Sequence, residues 1–490
     1  MSYPMLSAVT FMPLAGVAGI MLARDERSAR WIALLTTLLT FAVSLPLYFL
    51  FDKSTPGMQF VEKVVWIPSW NIAYSVGVDG ISLPFIFLTA MLSILCVGVS
   101  WMAIGTRMRA FYGALLVAQT AMTGLFVAGN LMLFYVFWEL SIVPIFLLIG
   151  VWGGPERVYA AFKFLLFTLA GSVLMLLGII ALHNLGGDTL ELEALSRVVI
   201  NPRLQYWLFG AFAAAFAVKV PMFPLHTWLP DAHTEAPTAG SVILAGILLK
   251  MGAYGFLRVC LPILPDATLF FFKPMLALSV VAIIWGACVT LTQTDVKRLI
   301  AYSSVSHMGF VTLGIFSLTS SGLEGAILQM LNHGIITGAL FLCVGMLYER
   351  THTREIARYS GLFKVVPVYC VFLALFSLAA MGFPGLNSFV GEFLILNGAF
   401  QIWIWLGLLG VLGVALGTMY IVWLYYRLAL GEPRHRDLAD LGWREIITLA
   451  PLAALALIIG LYPDSVLGYF HVSVEHLLNQ VNASNLRAVL

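Results

Sequence analysis

The chain is short of charge. Only 10% of its 490 residues are Asp, Glu, Lys or Arg, against roughly 25% in an average soluble domain. Hydrophobic residues make up 61%, among them 34 Phe, so the few charges could not cover a soluble fold of this size. That excludes a soluble enzyme and a disordered chain. The net charge of +2 offers no bulk attraction for nucleic acid. Cysteine is scarce too. Cys96, Cys260, Cys288, Cys343 and Cys370 lie in or at the ends of apolar stretches, none at CxxC spacing. They read as small buried hydrophobes, which excludes a disulfide framework and an iron–sulfur site. No basic residue precedes the first apolar run, MSYPMLSAVTFMPLAGVAGIMLARDERSAR, so it reads as an uncleaved span and not a signal peptide. A P-loop, a GxGxxG opening a βαβ unit and a GxSxG are all missing.

What is present is apolar length. A crossing helix needs ~20 apolar residues, and fourteen such stretches fall near 5–23, 31–51, 81–105, 110–129, 131–153, 157–184, 204–228, 237–260, 269–293, 297–318, 323–348, 365–398, 402–429 and 445–468. The expected fold is an all-α polytopic membrane protein. Two connections are long. Residues 52–80 contain VEKVVWI and WNIAYSVGV, whose alternation predicts a hairpin; residues 185–203 predict a short surface helix.

Basic residues distribute unevenly. Connections after odd-numbered spans, with the adjoining helix ends, hold 17 Lys and Arg, Arg24 and Arg444 among them, and the opposite side holds 7, including Lys53 and Arg487. Excess positive charge marks the inner face, which puts both termini outside. The two basic residues left over, Lys219 and Lys250, lie inside spans, as do the acidic Glu139 and Glu392. Glu139 sits eight residues into its span, ~12 Å deep. A charge at mid-membrane costs ~2.5–3.5 kcal/mol or more. One such residue is often an ion-pair rivet between helices. Four together point to a proton or ion relay, because Ser or Asn would glue helices at lower cost.

Helix breakers accompany the charges. Pro221 and Pro224 should free the carbonyls of Ala217 and Val220 beside Lys219; Pro384, with Gly382 and Gly385, should free that of Ala380, and Pro144 that of Leu140 beside Glu139. Broken helices at membrane depth are tolerated where they line a polar cavity. The two main breaks share a pattern, FPLHT at 223–227 and FPGLN at 383–387, five spans apart. An odd number of spans inverts the second copy, as in transporters built from inverted repeats. The expected organisation is 1–109 (spans 1–3 with the outer hairpin), 110–260 (first five-helix repeat, spans 4–8), 261–430 (second repeat, spans 9–13) and 431–490 (span 14 and tail), with one broken helix in each repeat.

Polar stripes lie between the breaks. Ser303 and His307 are at i, i+4, and Gln329, His333 and Thr337 at i, i+4, i+8, each set on one helix face. Histidine exchanges protons most readily near neutral pH. His226, Asp231, His233 and Glu235 cluster at the inner mouth, where a proton-collecting site or a capping turn is favoured over a metal site, no HExxH being present. GLLGVLGVALG at 407–417 reads as a close helix-packing surface.

At these residues the chain resembles a known family. FYVFWELSIVPIFLLIG, FAVKVPMFPLHTWLPDAHTEAPTAGSVILAGILLKMGAYG, DVKRLIAYSSVSHMGF and LNHGIITGALFLCVG resemble the antiporter-like membrane subunits of respiratory complex I, NADH-quinone oxidoreductase. The likeness covers nearly the whole chain. Within the superfamily the M branch, called 4 in mitochondria, is the most similar, because FVGEF carries glutamate where the L and N branches usually have lysine. The chain also ends soon after span 14, with no sequence for the long lateral helix of the L branch. The resemblance implies that Glu139 and Lys219 form a coupling charge pair, that Lys250 is the central proton carrier, that His307 and His333 continue a hydrated axis, that Glu392 feeds the outer exit, and that His226 tunes Lys219 or the inner mouth. It implies, as partners, the lipid bilayer and other membrane subunits of the complex, the neighbouring L and N subunits above all, with no nucleic acid; the length and the tidy charge bias point to a bacterial inner membrane as the location. The whole complex would use FMN, iron–sulfur clusters, NADH and quinone; this chain shows ligands for none of them.

The mechanism expected from these residues is a switch. The proton affinity of Lys219 depends on whether Glu139 faces it, and a partner subunit must supply the energy. The alternative is a subunit of a multisubunit sodium/proton antiporter or a membrane-bound hydrogenase. More distant rivals are a scaffold with frozen ion pairs and an unrelated solute transporter.

Overall fold

The structure is a computed structural model describing residues 4–23 and 25–489, with side chains described as far as Asn482. Arg24 and the side chain of Arg487, both counted in the charge balance, lie outside the described residues. Among the described residues, twelve helices are long and apolar enough to cross a bilayer. Two interrupted helices complete the fourteen expected segments.

In chain order the elements are α1 (Met5–Leu22), α2 (Glu26–Leu50), strands β1 (Gln59–Ile67) and β2 (Ile72–Val78), α3 (Leu83–Ala103), α4 (Met108–Val127), α5 (Leu131–Leu140) and α6 (Ile142–Trp152). They continue with α7 (Arg157–Leu185), α8 (Leu192–Leu195), α9 (Pro202–Lys219), α10 (Trp228–Glu235), α11 (Thr238–Ile263) and α12 (Pro265–Leu291). Then come α13 (Val296–Phe316), α14 (Ser320–Thr351), α15 (Pro367–Ala380), α16 (Asn387–Ile402), α17 (Ile404–Ala429), α18 (Trp443–Leu461) and α19 (Asp464–Val489).

The expected hairpin is present, β1 pairing antiparallel with β2. Its turn closes on Asn71 in the left-handed region, φ 49°, a conformation that Asn tolerates better than most residues. The surface helix expected in 185–203 shrinks to the single turn α8. Leu192 and Leu195 anchor it inward, and the flanking Glu191 bridges to Asn130. One long element was not expected: α19. Its sequence is polar enough to escape a search for apolar runs, yet Phe470, Val474 and Val481 are buried along one face.

Burial sorts the helices. The membrane window of α14 is buried throughout, and those of α11 and α13 nearly so, whereas α1, α2 and α17 bury a third. Outward-facing side chains on the rim are large and apolar, such as Trp207 and Leu166, as a lipid-facing surface requires. The buried polar residues therefore concentrate on the central helices. Small residues set the spacing there. A Cβ on Gly252 would lie 2.8 Å from the Phe216 carbonyl oxygen, so α11 meets α9 backbone to backbone. In the 407–417 run, a Cβ at Gly410 or Gly413 would collide with Leu396 or Ile283, so this stretch is the packing surface its composition suggests.

Candidate proton-transfer axis

The charges stand at irregular backbone. Glu139 lies one residue before the α5 C-terminus, and the crossing breaks at Ser141. Lys219 is the last residue of α9. Lys250 sits between two π-helical turns of α11, Leu244–Leu248 and Phe256–Cys260. Glu392 lies in the second half of the other interrupted crossing, α15/α16. Each break lets a polar group enter a layer that an unbroken apolar helix would seal.

The break beside Lys219 differs in detail from expectation. The Ala217 carbonyl is not left free by Pro221: it accepts from the Met222 amide at 2.8 Å. The Val218 carbonyl accepts from the Trp228 indole at 2.9 Å. A widened i→i−5 turn after Lys219 and the indole of α10 supply these donors, so buried backbone acceptors are satisfied.

Lys219 is fully buried. Its ammonium donates to the Ser141 hydroxyl at 2.9 Å and lies 4.4 Å from the Trp138 ring centroid. Glu139 is close enough for its charge to act on Lys219. No ion pair joins them among the described residues, and Glu139 Oε1 is buried without a hydrogen-bond partner. The two charges expected to pair are thus not in contact, and a hydroxyl and an aromatic face hold the lysine.

A second string begins at Lys250. Its ammonium donates to the Ala245 carbonyl within the widened turn, and it lies 2.6 Å from His333 Nδ1. The His333 and His307 ring centroids are 5.9 Å apart. His307 Nδ1 lies 3.5 Å from Glu392 Oε1, an ion pair whenever that imidazole is protonated. The order is therefore Lys250–His333–His307–Glu392. The expected order, with His307 next to Lys250, is reversed, because packing of α13 and α14 against α16 brings His307 to the carboxylate.

Residues not singled out from sequence complete this end. The Tyr420 hydroxyl is 3.2 Å from His307 Nε2. Gln329 donates to Glu392 at 3.1 Å, and Asn332 and Asn387 bond to each other across α14 and α16. A cavity of about 10 Å³, lined by His307, Glu392, Gly417 and Tyr420, has the room one water needs. Tyr420 follows the glycine run, and a lone phenol on a small-residue face was the signal that could have found it. Ser141, two residues after Glu139, was the corresponding signal at the other end.

The two strings do not touch. Among the described residues no side-chain hydrogen bond links Lys219 to Lys250; Phe216 and Val220 pack between their helices against Gly252. His226 joins neither string. Its ring lies beside Phe223 and 4.6 Å from Trp285, both nitrogens unpartnered. On α10, Asp231 pairs with Lys163 at 2.6 Å and Glu235 accepts from the Glu156 amide at 2.9 Å. His233 stacks on Phe341 at 4.6 Å. No three His, Cys, Asp or Glu converge on a metal position among the described residues.

Comparison with known proteins agrees with this architecture. Residues 128–417 match the family described as "NADH:quinone oxidoreductase/Mrp antiporter, TM". The chain is 46% identical to NADH-quinone oxidoreductase subunit M of Rhodobacter capsulatus, over 98% of this chain and 97% of that one. The chain belongs to the antiporter-like M subunits of respiratory complex I. It is also 46% identical to NADH-ubiquinone oxidoreductase chain 4 of Chondrus crispus, covering 97% of this chain and 98% of the other. A chain of respiratory complex I from Thermus thermophilus superposes with a TM-score of 0.89 at 32% identity, covering 97% of this chain and 99% of that one. These identities favour a complex I subunit over the multisubunit antiporter and hydrogenase alternatives. As an M subunit the chain is a multi-pass membrane component of an enzyme complex.

Proposed function

We propose that this chain carries protons across the membrane along Lys250, His333, His307 and Glu392, controlled by Glu139 and Lys219, while NADH:quinone electron transfer in partner subunits supplies the energy. The observation that carries the reading is the run of buried, exchangeable groups from Lys250 to Glu392, each within direct or one-water reach of the next. Riveting ion pairs would need one partner each, yet here two histidines stand between Lys250 and Glu392. The open Glu139–Lys219 arrangement supplies the switch: closing it changes the charge at the end of α9, which packs on the helix that carries Lys250. Moving a charge against 100 mV takes ~2.3 kcal/mol, within the range that forming or breaking a buried charge contact supplies.

On this reading Glu392 releases toward the outer face, and His226 tunes the inner mouth. The interruptions at FPLHT and FPGLN fit inverted repeats spanning 110–260 and 261–430, with 1–109 and 431–490 flanking them. The basic residues favour an inner-face position for the odd-numbered connections, with both termini outside and a bacterial inner membrane as host. The neighbouring subunits would be the L and N branches, and FMN, iron–sulfur clusters, NADH and quinone would be handled elsewhere in the complex.

The test is proton pumping by the whole complex in proteoliposomes. Glu139→Ala, Lys219→Ala and Glu392→Ala should leave it assembled while slowing coupled turnover, on the order of 10²-fold for loss of a proton-transfer group. Glu392→Asp should keep part of the activity and Lys250→Arg less, because Arg hardly deprotonates. Normal stoichiometry in all three alanine variants would restore the rivet reading.

A further inference from the structure

A groove of about 400 Å³ opens on the lipid-facing side between α2, α3, α14, α18 and α19. Its volume is within the ~300–1,000 Å³ of ligand sites. Phe41, Leu45, Phe87, Met91, Leu331 and Leu455 line it, and its surface is almost wholly apolar. From Tyr48 to Phe41, and from Leu83 to Met91, it runs ~10–12 Å along the helices, most of one leaflet's hydrocarbon half-thickness of ~15 Å. It opens at the face that carries the β1–β2 hairpin and stops at mid-membrane.

The rim is chemically different. Tyr48 and Tyr469 stack at 4.8 Å, at the level where aromatic residues belt a membrane interface. Lys53, just past the end of α2, lays its ammonium 3.9 Å from the Tyr469 ring centroid. The neighbouring carboxylate, Asp52, is tied back to Ser54 and Thr55. Among the described residues Lys53 has no carboxylate partner, so a cation waits above an apolar slot one acyl chain deep.

We propose that this groove binds one phospholipid of the hairpin-side leaflet, an acyl chain in the slot and the phosphate at Lys53. Charge complementarity decides for a phospholipid: neither an apolar helix of a neighbouring subunit nor the neutral head of a quinone calls for a cation at the mouth. The site is independent of the proton-transfer reading.

The experiment uses the whole complex, delipidated and then supplied with dioleoyl phosphatidylglycerol or with dioleoylglycerol, which has the same chains and no phosphate. Lipid retained per complex is counted by mass spectrometry, and the groove is inspected by electron cryomicroscopy. The wild type should retain phosphatidylglycerol, with lipid-shaped density in the groove, and not dioleoylglycerol. Lys53→Ala should weaken retention about fivefold. Leu45→Trp, which fills the slot from the lipid side, should abolish it. Equal retention in all variants, equal retention of the two lipids, or density belonging to a neighbouring helix or a quinone would overturn the assignment.

Discussion

Lys250 and His333 meet at 2.6 Å across α11 and α14, both buried. Among the described residues Lys250 has no carboxylate partner, and it also donates to the Ala245 carbonyl. A lysine whose nearest side-chain partner is an imidazole can hand a proton on, whereas one locked to a carboxylate would hold it.

Gly382 has φ +72°, and a Cβ there would stand 2.7 Å from Glu392 Oε2. Gly382→Ala should cost about 1–3 kcal/mol in backbone strain and displace the carboxylate from His307. Coupled turnover should fall although the substituted residue is not ionisable. The check is proton pumping alongside the amount of assembled complex surviving graded heating.

Tyr420→Phe removes the hydroxyl 3.2 Å from His307 Nε2. One hydrogen bond of this kind is worth about 0.5–1.5 kcal/mol, so pumping should slow roughly two- to tenfold with assembly unchanged. Steady-state turnover in proteoliposomes measures it.

Asp79 and Arg258 form a buried ion pair, and Arg258 also bonds Tyr254 at 3.0 Å. The pair ties the segment after the hairpin to the end of α11. Asp79→Ala leaves a largely buried guanidinium without its carboxylate and should destabilise by up to about 3 kcal/mol. Adding Arg258→Leu should recover much of the loss, read as yield of assembled complex.

His471 on α19 lies 2.5 Å from Glu324. That hydrogen bond, with further attraction from Glu324 and Glu475, raises the imidazole above its usual 6.5. A raised folded-state value means the stabilisation is fully present below pH ~6.5 and is lost as pH rises through the folded value. The protection factors of α19 amides, corrected for the intrinsic rise in exchange rate of about tenfold per pH unit, should therefore be higher at pH 6 than at pH 8, and His471→Gln should flatten the difference.

The crossings were legible because ~20-residue apolar runs have one physical meaning in a chain this poor in charge. Glu139, Lys219, Lys250 and Glu392 stood out for the same reason. The order of His333 and His307 was not legible, since it depends on how α13 and α14 pack against α16. Nor were the π-helical turns around Lys250, which leave no composition signal in SVILAGILLKMGAYGF. The amphipathic α19 was hidden by its polar face. The Ala217 carbonyl shows the limit of local rules: Pro221 removes one donor, and the turn it creates brings another.

The account rests on proton exchange at buried side chains, and infrared difference spectroscopy of the working complex reads that directly at Glu392. Turnover should produce a carboxyl C=O band that shifts in D₂O, moves in Glu392→Asp and is missing in Glu392→Gln. A spectrum with the Glu392 carboxyl in one unchanging protonation state throughout turnover would contradict it.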